Sequence, residues 1–188
     1  WEHEKFSTRK GQTIHLEEVL KEAIERATKI ISKSETGRKL SKKEQKEVAE
    51  AVGIGAILYF DLSHHPTTDI IFDWEKIFIL EGNSGPYLQY TYARCLSVLE
   101  KAKAKGLNIA YFGPIAPKNA IPVREETESR LTIRDLNYKT IEPEETALLR
   151  TIYKFPEGVI EAAENFSPNL LCNFLFDLCQ KYNLFYQK

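Results

Sequence analysis

The sequence contains no methionine, few cysteines and no excess of either charge. Methionine is absent from all 188 residues, including position 1. Because translation starts at methionine, we expect the sequence to be a fragment of a longer protein. The three cysteines are an odd number without the spacing of a zinc site, so we expect free thiols in a reducing cytoplasm and no bound metal. They are Cys95, Cys172 and Cys179.

Long apolar runs are also missing. No run approaches the 18 residues of a membrane span, and residues 1–5 lack the basic and then apolar layout of a signal peptide. We therefore expect a cytoplasmic protein with no membrane partner. The 26 basic and 27 acidic side chains nearly cancel, so any attraction to nucleic acid has to come from a local patch.

Apolar residues recur at helical spacing through most of the chain, which is 43% hydrophobic. This spacing predicts a helix over residues 16–31. The pair Ser41 and Glu44 is a capping-box signature, so a second helix should begin near Lys42, end near Ser63 and be buried on most sides. Further helices are expected within residues 73–80, from Pro86 as first helical residue, over 144–155, after Pro156, and from Pro168 to the end.

Two segments do not read as helix. Residues 4–15 have the pattern of a strand, a turn at Gly11 and a second strand, which predicts a small β-hairpin. Residues 106–142 combine mixed charge, little periodicity and three prolines, so we interpret them as a long irregular insertion. The expected fold class is therefore mainly α, a helical bundle with a small β-hairpin.

The helix that begins at Pro86 has two distinct faces. One is apolar and should face the core; it carries Leu88, Tyr92, Cys95, Leu99 and Ala102. The other interleaves aromatic and basic residues: Tyr87, Tyr90, Arg94, Lys101 and Lys105. Such a face suits unstacked nucleobases, which stack on aromatic rings while cations meet phosphate. Alternatively, these tyrosines pack on a neighbouring helix with their hydroxyls at the rim.

The predicted hairpin tip is basic and carries hydroxyl groups. Such a turn can close over phosphates through charge-assisted hydrogen bonds, although it can equally be a solvated turn. The neighbouring His64 and His65 point apart and lack a third ligand, so a capped helix end is favoured over a metal site. The sequence also lacks a Gly-rich phosphate loop and other complete catalytic motifs.

These segments together resemble one enzyme family. The hairpin tip is similar to the KMSKS-type loop of class I aminoacyl-tRNA synthetases, with Phe6 in place of methionine and Thr8 in place of the second lysine. Residues 51–63, 69–81 and 82–90 with Arg94 are closely similar to the arginyl-tRNA synthetase pattern that leads into its anticodon-binding helical domain. Residues 148–156 and 169–186 resemble later helices of that domain. The resemblance covers most of the chain except about residues 106–142.

The resemblance implies a domain organisation and an activity. Residues 1–80 would be the end of the catalytic domain, and residues 81–188 the anticodon-binding domain with its insertion at 106–142. The family activates arginine with ATP and Mg²⁺ and transfers it to tRNA(Arg). Because the family's HIGH motif is absent, we expect this chain alone to be inactive and to hold no ATP.

The partners implied are tRNA(Arg), with arginine and ATP in the intact enzyme, and neither DNA nor a membrane. We expect a monomer, although apolar side chains on the last helix leave self-association of this chain open. Two alternatives stand beside this reading: a free-standing RNA-binding helical module and a helical module for protein–protein interaction.

The resemblance also assigns roles to individual residues. In the intact enzyme, four residues of the hairpin tip would contact the ATP triphosphate: Lys5, Ser7, Arg9 and Lys10. Either Arg9 or Lys10 would supply the phosphate-binding charge that the motif's second lysine supplies in the family. Six residues would contact the tRNA at its anticodon loop: Asn83, Tyr87, Gln89, Tyr90, Arg94 and Tyr186.

Overall fold

The computed structural model describes residues 15–105 and 142–188, and within these ranges it contains helices and turns but no strand. The helices are α1 (Leu16–Lys33), a short 3₁₀ helix (Gly37–Lys39), α2 (Lys42–Leu62), α3 (Trp74–Ile77), α4 (Gly85–Ala104), α5 (Pro143–Tyr153), α6 (Phe155–Glu164) and α7 (Pro168–Tyr186). The mainly α-helical prediction is confirmed. The predicted β-hairpin and insertion lie outside the described residues, except for His15 and Glu142, which are the N-cap residues of α1 and α5.

Helices α1 and α2 pack closely because both present small residues at their contact. Ala23 and Ala27 of α1 are completely buried. A Cβ atom on Gly53 of α2 would lie only 2.8 Å from the backbone nitrogen of Ile24. A side chain at this position would therefore force the two helices apart.

The prediction that α2 is buried on most sides is wrong. Three of its apolar side chains are 39% to 56% exposed: Val48, Leu58 and Leu62. The contacts with α1 and α4 use the small residues of α2, so they cover only part of its circumference. The predicted capping box at its start is confirmed, since the Ser41 amide donates to Glu44 Oε2 at 2.8 Å and the Glu44 amide donates to Ser41 Oγ at 3.3 Å.

An aromatic cluster joins the first three helices. The ring centroids of Phe60 and Phe72 are 5.7 Å apart, and those of Phe72 and Trp74 are 4.8 Å apart, both pairs meeting edge to face. The Arg26 guanidinium carbon lies 4.6 Å from the centre of the Trp74 ring. Edge-to-face and cation–π contacts of this kind fix the direction in which the chain leaves α2.

The later helices begin and end within a few residues of their predicted limits. Helix α4 begins at Gly85, one residue before the predicted Pro86, because Ser84 is the N-cap and its hydroxyl accepts from the Tyr87 amide at 3.3 Å. Helix α6 begins at Phe155, before Pro156 and not after it. Helix α7 ends at Tyr186, two residues before the end of the chain.

The close approach of α1 and α2 predicts an unusual response to a glycine substitution. An exposed helical Gly→Ala change stabilises a helix by about 1 kcal/mol. Because the new methyl group would meet the backbone of α1, we expect Gly53→Ala to lower the free energy of unfolding by about 1–3 kcal/mol. Chemical denaturation followed by circular dichroism measures this change.

The matched control is Gly55→Ala on the same helix. There the new Cβ atom would meet Gln89 Nε2 at 2.4 Å, the far end of a flexible side chain that can move aside. The loss should therefore be smaller than at Gly53. A stabilised Gly53→Ala protein would contradict the close packing of α1 and α2.

Candidate nucleic-acid interface

A cleft of about 560 Å³ lies between α4, α7 and the loop that precedes α4. Its walls combine aromatic and apolar side chains, amides, one cation and one carboxylate: Leu80, Glu81, Gly82, Tyr87, Tyr90, Arg94, Phe176, Gln180, Asn183 and Gln187. Three of the residues predicted to contact tRNA therefore meet in one concave surface. They lie on the same side of α4 because their spacing is that of successive helical turns.

The loop before α4 is held against the start of that helix. The Ser84 hydroxyl donates a short hydrogen bond to the Ile79 carbonyl, and the Ser84 amide donates to the Gly82 carbonyl at 2.9 Å. Asn83 is exposed beside the cleft, where its Nδ2 donates to Asn173 Oδ1 at 3.2 Å. These bonds place the loop as one wall of the cleft.

Arg94 is fixed between two tyrosine rings. Its guanidinium carbon lies 4.6 Å from the centre of the Tyr90 ring and 4.7 Å from that of Tyr186. One terminal nitrogen donates to Asn183 Oδ1 at 2.7 Å, and the other donates a short hydrogen bond to the Tyr90 hydroxyl. The site therefore holds a positive charge in one orientation beside two aromatic faces.

Tyr87 and Tyr90 differ in their surroundings. The Tyr87 ring meets the Phe176 ring edge to face at 5.6 Å, and its hydroxyl accepts from Asn183 Nδ2 at 3.0 Å. Tyr87 thus packs on a neighbouring helix with its hydroxyl at the rim, as the alternative interpretation expects. Tyr90 is 49% exposed, so its ring is open to a ligand.

Gln89 lies apart from the cleft. Its Nε2 donates to the Ala51 carbonyl at 3.0 Å, which places the side chain in the contact between α2 and α4. Helical geometry explains this, since Gln89 is separated from its neighbours Tyr87 and Tyr90 by about 200° and 100° around the axis. The structure gives Gln89 a packing role and does not bring it to the other predicted tRNA contacts.

The predicted faces of α4 are also only partly right. Tyr92, assigned to the apolar face, is 63% exposed. Lys101 and Lys105, assigned to the aromatic and basic face, are exposed at the far end of the helix and do not line the cleft. The reason is that α7 covers a partly polar side of α4, where buried Thr91 and half-buried Arg94 are satisfied by Asn183.

The contribution of α7 to the cleft was not predicted from the sequence. Three of its residues and its C-cap residue line the cleft at helical spacing: Phe176, Gln180, Asn183 and the C-cap Gln187. Polar residues that recur on one side of an otherwise apolar helix are the signal that could have identified them. Tyr186 of α7, a predicted tRNA contact, has its ring against the Arg94 guanidinium of α4.

Tyr59 links α2 to both walls of the cleft. Its hydroxyl lies 2.9 Å from the Cys172 carbonyl of α7 and also meets Asn83 Oδ1. Burial raises the pKa of the Tyr59 phenol well above its usual value, so the hydroxyl keeps its proton and can donate. Burial also raises the pKa of the Cys172 and Cys179 thiols, which makes these cysteines poor nucleophiles.

The four phosphate-loop candidates, Lys5, Ser7, Arg9 and Lys10, lie outside the described residues. Within residues 15–105 and 142–188, no group of three His, Cys, Asp or Glu side chains is placed to hold a metal ion. In the same ranges, no helix is both long and apolar enough to cross a membrane.

Two family models match this chain. Residues 2–74 match the catalytic domain of class I tRNA synthetases (R). Residues 88–188, more than half of the chain, match the DALR anticodon binding domain. The second match includes Tyr90, Arg94 and Phe176 of the cleft, and Tyr87 directly precedes it.

Curated relatives and solved structures agree with these matches. The chain is 39% identical over 181 residues to an arginine–tRNA ligase of Fusobacterium nucleatum, covering 96% of this chain and 27% of the relative. It is 38% identical to that of Yersinia enterocolitica, covering 97% of this chain and 27% of the relative. The chain therefore spans about a quarter of the length of these relatives.

The fold matches arginyl-tRNA synthetase from Thermus thermophilus with a TM-score of 0.72 and 30% identity, over 100% of this chain and 26% of that one. It also matches the fold of the Plasmodium falciparum enzyme with a TM-score of 0.67 and 22% identity, over 93% of this chain and 27% of that one. The chain thus belongs to the family of DALR anticodon binding domains, and over nearly its whole length it is similar to part of arginyl-tRNA synthetases.

Proposed function

We propose that this chain recognises the anticodon of tRNA(Arg) as part of an arginine–tRNA ligase. The observation that carries the proposal is the cleft between α4 and α7, in a region that matches an anticodon binding domain. The relatives that share the sequence are named arginine–tRNA ligases. The identity of the tRNA is inferred from the name of these relatives. The chemistry of the cleft suits the unstacked bases of its anticodon.

The cleft combines two features that favour a nucleobase over a free phosphate. Aromatic faces stack on any base, at about 1–3 kcal/mol per base. Arg94 lies over two rings, and a guanidinium is only weakly hydrated, so it can contact a base without losing much solvation. Glu81 lines the opposite wall, and its carboxylate would repel a phosphate that approached from that side.

The alternative of a protein–protein module rests on a different surface. Helices α5 and α6 and the turn after them expose several large apolar side chains, including Tyr153 at 82% and Phe166 at 88%. None of these residues lines the cleft. This surface can contact another protein segment while the cleft binds RNA, so it does not compete with the proposed function.

For the whole enzyme we propose the activity implied by its relatives. Residues 1–80 would complete the catalytic domain, with the match over residues 2–74 as support, and residues 81–188 would form the anticodon-binding domain with an insertion at 106–142. The substrates would be arginine, ATP with Mg²⁺, and tRNA(Arg). Lys5, Ser7 and either Arg9 or Lys10 would contact the ATP phosphates. We further propose that the protein works as a cytoplasmic monomer without DNA or a membrane.

Anticodon recognition predicts a specific pattern of binding. We expect this chain to bind a tRNA(Arg) transcript at least about 10-fold more tightly than the same transcript with altered anticodon bases, because lost base contacts leave polar groups unpaired. Fluorescence anisotropy at two salt concentrations measures both affinities. The ratio between them should persist at high salt, while both affinities fall as phosphate attraction is screened. Equal affinities would contradict the proposal. RNA binding that does not depend on salt would indicate that phosphate contacts are missing, and would favour the alternative of a protein-binding module.

The cleft residues should matter more than other exposed aromatics on the same helix. We expect Tyr90→Ala to weaken binding of tRNA(Arg) about 5- to 100-fold, the range expected for one stacked base. Tyr92→Ala is the matched control, because Tyr92 is an exposed tyrosine on α4 outside the cleft. It should change the affinity less than 2-fold. Equal losses at both positions would show that the cleft is not the RNA site.

The phosphate-loop proposal predicts a catalytic defect in the intact enzyme. Lys5→Ala should slow arginine-dependent ATP–pyrophosphate exchange by about 100-fold or more, because a charge that stabilises the leaving phosphates is lost. Lys43→Ala, at a lysine that is 87% exposed on α2, is the control and should leave the rate unchanged. A Lys5→Ala enzyme with the normal exchange rate would exclude this role.

A further inference from the structure

Asn183 lies at the centre of the contact between α4 and α7 and is only 8% exposed. Its Nδ2 donates to the Tyr87 hydroxyl at 3.0 Å and to Thr91 Oγ1 at 2.9 Å. Its Oδ1 accepts from Arg94 at 2.7 Å. Both amide hydrogens are therefore used, and one side chain connects three residues of α4.

The orientation of this amide follows from its partners. A guanidinium group has only donors, so the atom that faces Arg94 must be the oxygen of Asn183. The nitrogen then faces the two hydroxyl groups. Thr91 Oγ1 is consistent with this, because it donates its own hydrogen to the Tyr87 carbonyl at 3.0 Å and can only accept from Asn183. A flipped amide would place donor against donor at Arg94.

This orientation decides which way the Tyr87 hydroxyl points its hydrogen. The nitrogen of an amide cannot accept, so the phenolic hydrogen of Tyr87 cannot be directed at Asn183. Among the described residues the Tyr87 hydroxyl donates to no protein group, and Tyr87 lines the cleft. The Tyr90 hydroxyl is in the same situation, because it accepts from the donor-only guanidinium of Arg94.

We propose that Asn183 is a positioning residue that makes the α4 wall of the cleft a hydrogen-bond donor surface. The wall then selects a base that presents acceptors, such as a carbonyl oxygen or an unprotonated ring nitrogen. A base that presents an N–H group there would leave both donors unpaired in the cleft, which is the strongest form of discrimination a polar site can exert. The inference rests on the proposed anticodon recognition and adds the rule by which the cleft chooses its base.

The test is a double-mutant cycle of Asn183→Asp and Tyr87→Phe in this chain. Aspartate has nearly the same shape and still accepts from Arg94, but it also accepts from Tyr87. The Tyr87 hydroxyl would then donate to the carboxylate and present only its oxygen to the cleft. Tyr87→Phe removes the hydroxyl altogether. In that background there is no hydroxyl hydrogen at this position for Asn183 to orient.

The measured quantity is the affinity for the tRNA(Arg) transcript. We expect Tyr87→Phe to weaken binding about 5- to 10-fold, the usual worth of one hydrogen bond. Asn183→Asp should weaken it more, because the added charge also acts on the RNA. In the Tyr87→Phe background, the loss of affinity caused by Asn183→Asp should be about 5- to 10-fold smaller. The added charge acts equally on the RNA in both backgrounds, so its effect cancels in the cycle. Additive effects would mean that Asn183 acts only through packing, which would overturn the proposal.

Two further measurements keep the outcome clear. Asn165→Asp places the same new charge on an exposed residue at the end of α6 and should change the affinity less than 2-fold. If Asn183→Asp fails to fold in denaturation experiments, Tyr87→Phe alone decides. It should then reduce discrimination at one anticodon base only, and a uniform loss across transcripts with each base replaced would overturn the proposal.

The two proposals can fail separately. A wild-type chain that does not distinguish tRNA(Arg) from transcripts with altered anticodons would remove the proposed function, and with it the role of Asn183. A wild-type chain that does distinguish them, together with an additive cycle, would leave anticodon recognition in place and reject the role of Asn183 alone.

Discussion

The arrangement of the cleft depends on one buried polar contact, in which the Asn183 amide of α7 meets two hydroxyls and a guanidinium of α4. A buried amide that loses its partners costs about 1–3 kcal/mol for each unsatisfied group. Moving α7 by one residue would turn Asn183 by about 100° and break all three bonds at once. Apolar packing tolerates such shifts more easily, so this contact fixes the register of the two helices and with it the position of Phe176 and Gln180 along the cleft.

The start of α4 is in turn fixed by α2. A Cβ atom on Gly85 would lie 2.8 Å from the Gly55 carbonyl, so the two helices approach as closely as their backbones permit. The Tyr59 hydroxyl of α2 lies between the Asn83 Oδ1 acceptor of the loop and the Cys172 carbonyl of α7, and its single hydrogen is shared between them. Helix α2 lies in the part of the chain that matches the catalytic domain, and six of the ten residues that line the cleft lie in the part that matches the anticodon binding domain. The geometry of the cleft is thus supported by residues on both sides of that division.

The helices could be predicted from the sequence because their signals are local. The Ser41–Glu44 capping box and the apolar period of α1 operate within a few residues, and both are present in the structure. The tertiary contacts could not be predicted in the same way. The partners of Asn183 lie 89 to 96 residues earlier in the chain, so the pattern of polar residues on α7 does not indicate which residues it contacts. The exposure of Tyr92 and the inward position of Gln89 likewise depend on which helix covers each side of α4.

Three of the residues that the resemblance assigns to tRNA binding, Tyr87, Tyr90 and Arg94, line one cleft, and the structure indicates why they suit a ligand. The whole chain carries a net charge of −1, so long-range attraction contributes little and the site has to act through contacts at short range. Ordering an arginine side chain costs about 2 kcal/mol of rotamer entropy. In this cleft Asn183, Tyr90 and Tyr186 have already ordered Arg94 before any ligand arrives. A base that enters the cleft therefore meets the Arg94 guanidinium and the exposed Tyr90 ring in their final positions, and its binding free energy is not reduced by the cost of arranging them.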